Sequence, residues 1–200
     1  MKPSYGSPQE MLLRLGTAAL LFVCLLAAAF QYYASIPLIP NLIYLLNTLN
    51  FIIHEIGHPI FGMLGEFIGY AGGTIFQLLV PAVFVIVSIS QGYQLGIWFF
   101  VFWFGQNFIH ISKYIADARA HELTLFTPAM LSQPMSQQEV HKHHDWSYML
   151  TKLGLLEFDI AISWLVFGAG VLIMLTAAIG AALNGEGFVR RKWNEKFSRE

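Results

Sequence analysis

Between Leu15 and Ile53, and again between Phe67 and Ser112, the chain carries no Asp, Glu, Lys or Arg. Each run has room for helices of about 20 apolar residues, the length needed to cross a hydrocarbon core of about 30 Å. Backbone in lipid must satisfy its own hydrogen bonds, so the expected fold class is all-α, a polytopic membrane helix bundle. Composition agrees, because only 12% of the residues are charged and 56% are hydrophobic, against about 25% charged in a soluble domain. The net charge of -1 leaves no basic face to follow a phosphate backbone and argues against nucleic acid as a partner. Cys24 is the only cysteine and lies in the first apolar run, so no internal disulfide forms.

Read in order, the pattern predicts about five transmembrane helices in one integral membrane domain, 1–200. Met11 to Tyr33 is the first span, longer than the apolar core of a cleaved signal peptide. Pro37 and Pro40 end it, and a second span runs from about Asn41 to Leu64 with a kink expected at Pro59. Gly65, Gly69, Gly72 and Gly73 make the next segment either a re-entrant loop or a simple turn. Thr74 to Ser90 is the third span, in which Gln77 is a polar handle for a neighbouring helix or for a substrate carbonyl, with packing the favoured role. Leu95 to Ile111 is the fourth, loaded with aromatic side chains from Trp98 to Phe108 that read as a lipid-facing or interhelical surface. A polar His-rich loop, 124–147, precedes a last span over 158–183. The basic tail, 184–200, suits an anionic leaflet and favours a cytoplasmic C-terminus for a multi-pass protein of the cell membrane.

The chemistry-bearing stretch is His54-Glu55-Ile56-Gly57-His58, an H-E-x-x-H motif in the second span. Residues four apart on a helix share one face, so both imidazoles can point at one ion. Glu55 beside them is the candidate general base for a water activated by that ion, the zinc-hydrolase reading of the motif. An ionisable group in hydrocarbon costs roughly 2.5–3.5 kcal/mol, and a divalent cation bound by both imidazoles offsets that cost.

A second polar stripe lies at the end of the fourth span, where His110, Lys113, Asp117 and His121 recur at spacings of three, four and four. It is either turned to a protein interior or is simply a helix emerging into water. If the second and fourth helices run in the same direction, Asp117 stands at a depth compatible with His54 and His58. The expected ligand set for Zn2+ is therefore His54, His58 and Asp117, with His144, Asp145 and His110 as alternative third ligands. The stretch His144-Asp145-Trp146 also reads as a lid over the site.

These residues resemble the site-2 protease type of intramembrane zinc metalloprotease. In that family an H-E-x-x-H helix is followed by a Gly-containing segment, and a later helix supplies an aspartate ligand in an Asn-containing, L-D-G-like motif. His54, Glu55 and His58 match the first motif. Asn107 and Asp117 resemble the second, although Ala116 and Ala118 stand where the family has leucine and glycine. The resemblance covers roughly 41–122, and no soluble module is read beside it. It implies a zinc peptidase in which Glu55 is catalytic, Asn107 supports the oxyanion, and the substrate is a membrane-embedded polypeptide.

Two other readings remain open. The spacing His54-x-x-x-His58 with His141-x-His143-His144 resembles the histidine boxes of membrane di-iron desaturases and hydroxylases, although seven histidines are fewer than such sites generally use and Glu55 has no task there. A non-catalytic membrane metal-binding protein is the other alternative.

Overall fold

The computed structural model describes residues 8–34, 40–123 and 144–183, with side chains for 11–26, 45–123 and 144–183. Among these residues every regular element is helical. They are α1 (Pro8–Ala34), α2 (Pro40–Gly62), α3 (Glu66–Ser90), α4 (Gln94–Ala116), α5 (Asp145–Leu153), a single 3-10 turn (Leu156–Phe158) and α6 (Asp159–Leu183). Among the described residues, three helices are long and apolar enough to cross a membrane: α3, α4 and the stretch Leu156–Leu183. The part of α1 with described side chains is a shorter apolar helix, Met11–Leu26. The sequence segments 124–143 and 184–200 lie outside the described residues.

The glycine-rich stretch after α2 corrects one expectation. It is neither a re-entrant loop nor a long turn. The chain reverses within Met63 to Gly65, where Leu64 N–H donates to Phe61 O at 2.9 Å and Gly65 takes a φ of 118° that side chains rarely adopt. Gly69, Gly72 and Gly73 then belong to the first turns of α3. Glycine in a helix interior costs about 1 kcal/mol relative to alanine, and close packing offsets it here. A Cβ on Gly72 would stand 2.8 Å from Gly57 O, and one on Gly69 would stand 3.1 Å from Gly62 Cα. The absence of these side chains lets the backbones of α2 and α3 meet, the small-residue device of membrane helix pairs.

The chain divides into two compact units that interleave along the sequence, so no single linker marks a boundary. The first contains 1–44, 79–106 and 170–200. In it the aromatic load of α4 divides between two environments. Phe102 and Trp103 are buried while Phe99 is exposed, and Phe84 stacks on Phe100 with centroids 4.9 Å apart. Leu172 and Ile86 are each about two-thirds exposed, at 66% and 65%, so the helices keep apolar outer faces.

The second unit contains 45–78 and 107–169. Its core is Ile111, Ile115, Ala118 and Leu150, with Leu78, Trp146, Leu156, Ile162 and Val166 packed around them. Arg119 holds the start of α6 with a two-pronged contact, Nε to Asp159 Oδ2 at 2.8 Å and Nη2 to Asp159 Oδ1 at 2.6 Å. Ser163 Oγ donates to Ser112 O at 2.8 Å and ties α6 to α4. The segment expected to close a polar loop at 147 instead begins α5: His144 is its N-cap, and Gly154, at φ 68°, is its C-cap. Leu155 N–H donates to Leu150 O at 2.8 Å and Gly154 N–H to Thr151 O at 3.1 Å, the pair of bonds that closes a helix on glycine.

Candidate metal centre

His54 and His58 stand one turn apart on α2, with ring centroids 4.8 Å apart and planes at 80°. Their Nε2 atoms converge on one carboxylate oxygen. Asp145 Oδ2 lies 2.8 Å from His54 Nε2 and 3.2 Å from His58 Nε2. Tetrahedral ligands held about 2.0–2.1 Å from zinc are about 3.3 Å from one another, so little adjustment brings these three atoms onto one ion. Among the described residues, His54, His58 and Asp145 form the one group of His, Cys, Asp or Glu side chains placed to share a metal.

The outer edges of both imidazoles are held as well. His54 Nδ1 donates to Gln77 Oε1 at 3.1 Å, and His58 Nδ1 donates to Gly69 O at 2.9 Å. With a hydrogen on each Nδ1, each Nε2 of a neutral ring presents a lone pair to the carboxylate. Such an arrangement requires positive charge in the gap, either a proton on each Nε2 or a shared cation. Room for the rings comes from Gly73, where a Cβ would meet His54 Nε2 at 2.6 Å and His58 Nε2 at 2.7 Å. Gly69 and Gly73 are four residues apart on α3, as the two histidines are on α2.

Asp145 enters from the first turn of α5, and α5 is fastened on two sides. Tyr148 stacks on Tyr70 of α3 with centroids 4.0 Å apart and planes at 22°, while Lys152 Nζ lies 5.5 Å from the centre of the Tyr148 ring. On the other side, His144 Nε2 faces Asp117 Oδ2 at 3.4 Å, and His144 Nδ1 accepts from Ser147 N–H at 3.2 Å. Burial opposes ionisation of Asp145, but the hydrogen bonds from His54 and His58 outweigh it and hold its carboxyl below the usual carboxylate range. Burial pushes the His144 imidazole down against the opposing pull of Asp117, so it caps the helix as a neutral ring.

The first choice of third ligand, Asp117, is not brought to His54 and His58; Asp145 stands there instead. Asp117 is engaged at the end of α4, where its Oδ1 accepts from Glu122 N–H at 2.7 Å and from Leu123 N–H at 3.2 Å. Its side chain closes the helix end, a local task that outcompetes reaching toward α2. His110 is also outside the group, since its Nδ1 accepts from Gln77 Nε2 at 3.2 Å. His144, the remaining alternative, is the cap of α5. Asn107 is buried, with its Oδ1 accepting from Gln77 Nε2 at 2.8 Å, so that oxygen serves the interior network rather than an open cleft.

Glu55 is exposed, and its charge reaches both His58 and Tyr114. His54, His58 and Asp145 keep 18%, 26% and 17% of their side-chain surface accessible. Sequence reasoning passed over Gly69 and Gly73 as members of the site, and gave Gln77 a packing or substrate role rather than its contact with His54. The available signal was the matched four-residue spacing of the glycines and histidines, with Gln77 a further turn along. No protein-family model, curated protein or solved structure matches this chain.

Proposed function

We propose that the chain is a multi-pass membrane metallohydrolase that cleaves peptide bonds of membrane-embedded polypeptides, with zinc held by His54, His58 and Asp145. The observation that carries this reading is the convergence of two imidazole Nε2 atoms and one carboxylate oxygen, 2.8 and 3.2 Å apart, with the exposed Glu55 next to His54 in the chain. Three protein ligands with a fourth position open to solvent are the composition of a catalytic zinc site. The bound ion would supply Lewis acidity toward a water and the scissile carbonyl. Glu55 takes a proton as the water oxygen attacks the carbonyl carbon, then delivers it to the amide nitrogen as the C–N bond breaks. Gln77 and the Gly69 carbonyl hold the imidazoles against rotation, and α5 holds Asp145 in place.

The membrane setting rests on the three apolar helices α3, α4 and Leu156–Leu183, to which α1 and α2 add two spans in this reading. The basic tail after 183 orients the C-terminus to the cytoplasm. The test is elemental analysis of the detergent-purified protein beside His54→Ala, followed by cleavage of a tagged single-span substrate in vesicles. One zinc per chain, lost in His54→Ala, with cleavage abolished in Glu55→Gln supports the reading. Two irons per chain would favour the oxygenase class, and zinc without cleavage of any single-span substrate would favour a metal-binding role.

A further inference from the structure

Gln77 lies on α3 one turn beyond Gly73, and its side chain is almost fully buried, at 1% exposure. It makes three directed contacts: Nε2 donates to Asn107 Oδ1 at 2.8 Å and to His110 Nδ1 at 3.2 Å, and Oε1 accepts from His54 Nδ1 at 3.1 Å. A carboxamide has its two N–H donors on one atom and its acceptor on the other. Here both donors are directed at α4 and the oxygen is left for α2. Turning the amide over would set its oxygen against Asn107 Oδ1 and the His110 ring nitrogen, and an N–H against His54 Nδ1. Buried at this depth, the amide has no water to repair such a mismatch, and each unmet polar group costs about 1–3 kcal/mol.

The orientation of the amide decides the state of His54. An imidazole that donates through Nδ1 keeps the Nε2 lone pair for a ligand, and a partner on the outer nitrogen is what holds a metal-ligating ring in that tautomer. His58 has a backbone carbonyl for this task, which no side-chain substitution removes. His54 depends on a side chain that is itself oriented by a neighbour on another helix.

We propose that Gln77 is a positioning residue for the metal centre: with its amide locked by Asn107 and His110, it fixes His54 with Nε2 free for the ion. The inference rests on the metal reading above and extends it to a residue that touches neither ion nor substrate.

The test is cobalt(II) and zinc titration of the metal-stripped, full-length protein in detergent, reading the visible cobalt bands as well as affinity. Gln77→Met keeps length and packing but removes the acceptor, and binds about 10–100-fold more weakly, the usual effect of losing an outer partner of a ligating histidine. Its cobalt spectrum changes shape because the His54 ring is free to turn. Gln77→Glu rescues binding to within about threefold, since its side chain has the same length and keeps an oxygen for His54 Nδ1–H, the carboxyl–histidine pairing usual behind a metal ligand. Should Gln77→Met not fold, Asn107→Leu reads the same coupling, because it leaves the Gln77 amide oriented by His110 alone, and about threefold to tenfold weaker binding is expected. Wild-type affinity and spectrum in Gln77→Met, or in a folded Asn107→Leu used in its place, overturn the proposal, as does a Gln77→Glu variant as weak as Gln77→Met. Absence of cobalt binding in the wild type overturns the metal reading itself, and with it this inference.

Discussion

His54 Nε2 and Asp145 Oδ2 lie 2.8 Å apart although the two residues are separated by 91 positions in the chain. The contact joins α2 to α5. It depends on glycine in α3, which leaves room for the His54 ring, and on the stacking and capping contacts that fasten α5. A carboxylate set between two histidines, each already donating through its outer nitrogen, calls for positive charge in the gap, from protons on Nε2 or from a shared cation.

The third-ligand assignment separates two aspartates cleanly. Asp145→Ala should lower zinc affinity by more than about 100-fold, beyond the range seen for outer-shell partners. Asp117→Ala should keep wild-type stoichiometry while losing about 1–3 kcal/mol of stability, because it strips acceptors from the backbone N–H groups of Glu122 and Leu123. Elemental analysis and thermal melting of both variants distinguish them, and the reverse pattern would return Asp117 to the site.

Gly73→Ala tests the space on which the site depends. The added methyl would come within 2.6 Å of His54 Nε2 and 2.7 Å of His58 Nε2, so the imidazoles must move. Helix content should be unchanged or slightly raised, as alanine favours helix over glycine by about 1 kcal/mol. Zinc affinity should fall at least about tenfold. Unaltered metal binding in a folded Gly73→Ala protein would contradict the geometry.

Glu55→Gln is expected to leave zinc content intact and to reduce cleavage by about 10²–10⁴-fold, the range for removing a general base. Glu55 is not among the side chains placed to share the ion. Loss of metal along with activity would instead make Glu55 a ligand.

Acid should release the metal, because ligands must be unprotonated to bind. The Asp145 carboxyl is held below its ordinary range by its hydrogen bonds from the two imidazoles. Protons therefore compete with the ion at all three ligands, and affinity should fall steadily as the pH is lowered. The melting-temperature gain from zinc, present near neutral pH, should vanish over the same interval. A release curve confined to the carboxylate range would show that the histidines are not the titrating ligands.

The four-residue spacing of His54 and His58 was enough to put both rings on one helix face, and the two charge-free runs were enough for an all-helical chain. The partner carboxylate was harder to see. Asp117 ends an apolar stretch and Asp145 follows a polar one, and choosing between them requires knowing that Asp117 is occupied by its own helix end while Asp145 begins a new helix. That difference lies in backbone hydrogen bonds at the chain reversal after α4, which composition does not encode. Gly69, Gly72 and Gly73 were misleading for a related reason. Read alone they weaken a helix, and only the close approach of α2 makes them favourable within one. Gln77 was legible as a polar group needing a partner, but the identity of that partner depended on how α2, α3 and α4 pack within the unit.

The absent side chain at Gly73 also makes the ion a gauge of assembly. A slip of α3 by one residue along α2 that brings Thr74 to the place of Gly73, about 1.5 Å of travel with about 100° of rotation, would carry a β-branched side chain into the gap and point the Gly69 carbonyl elsewhere. Metal occupancy would then be lost while helix content stayed the same, so cobalt colour could serve as a readout of helix register in detergents and lipids of different thickness.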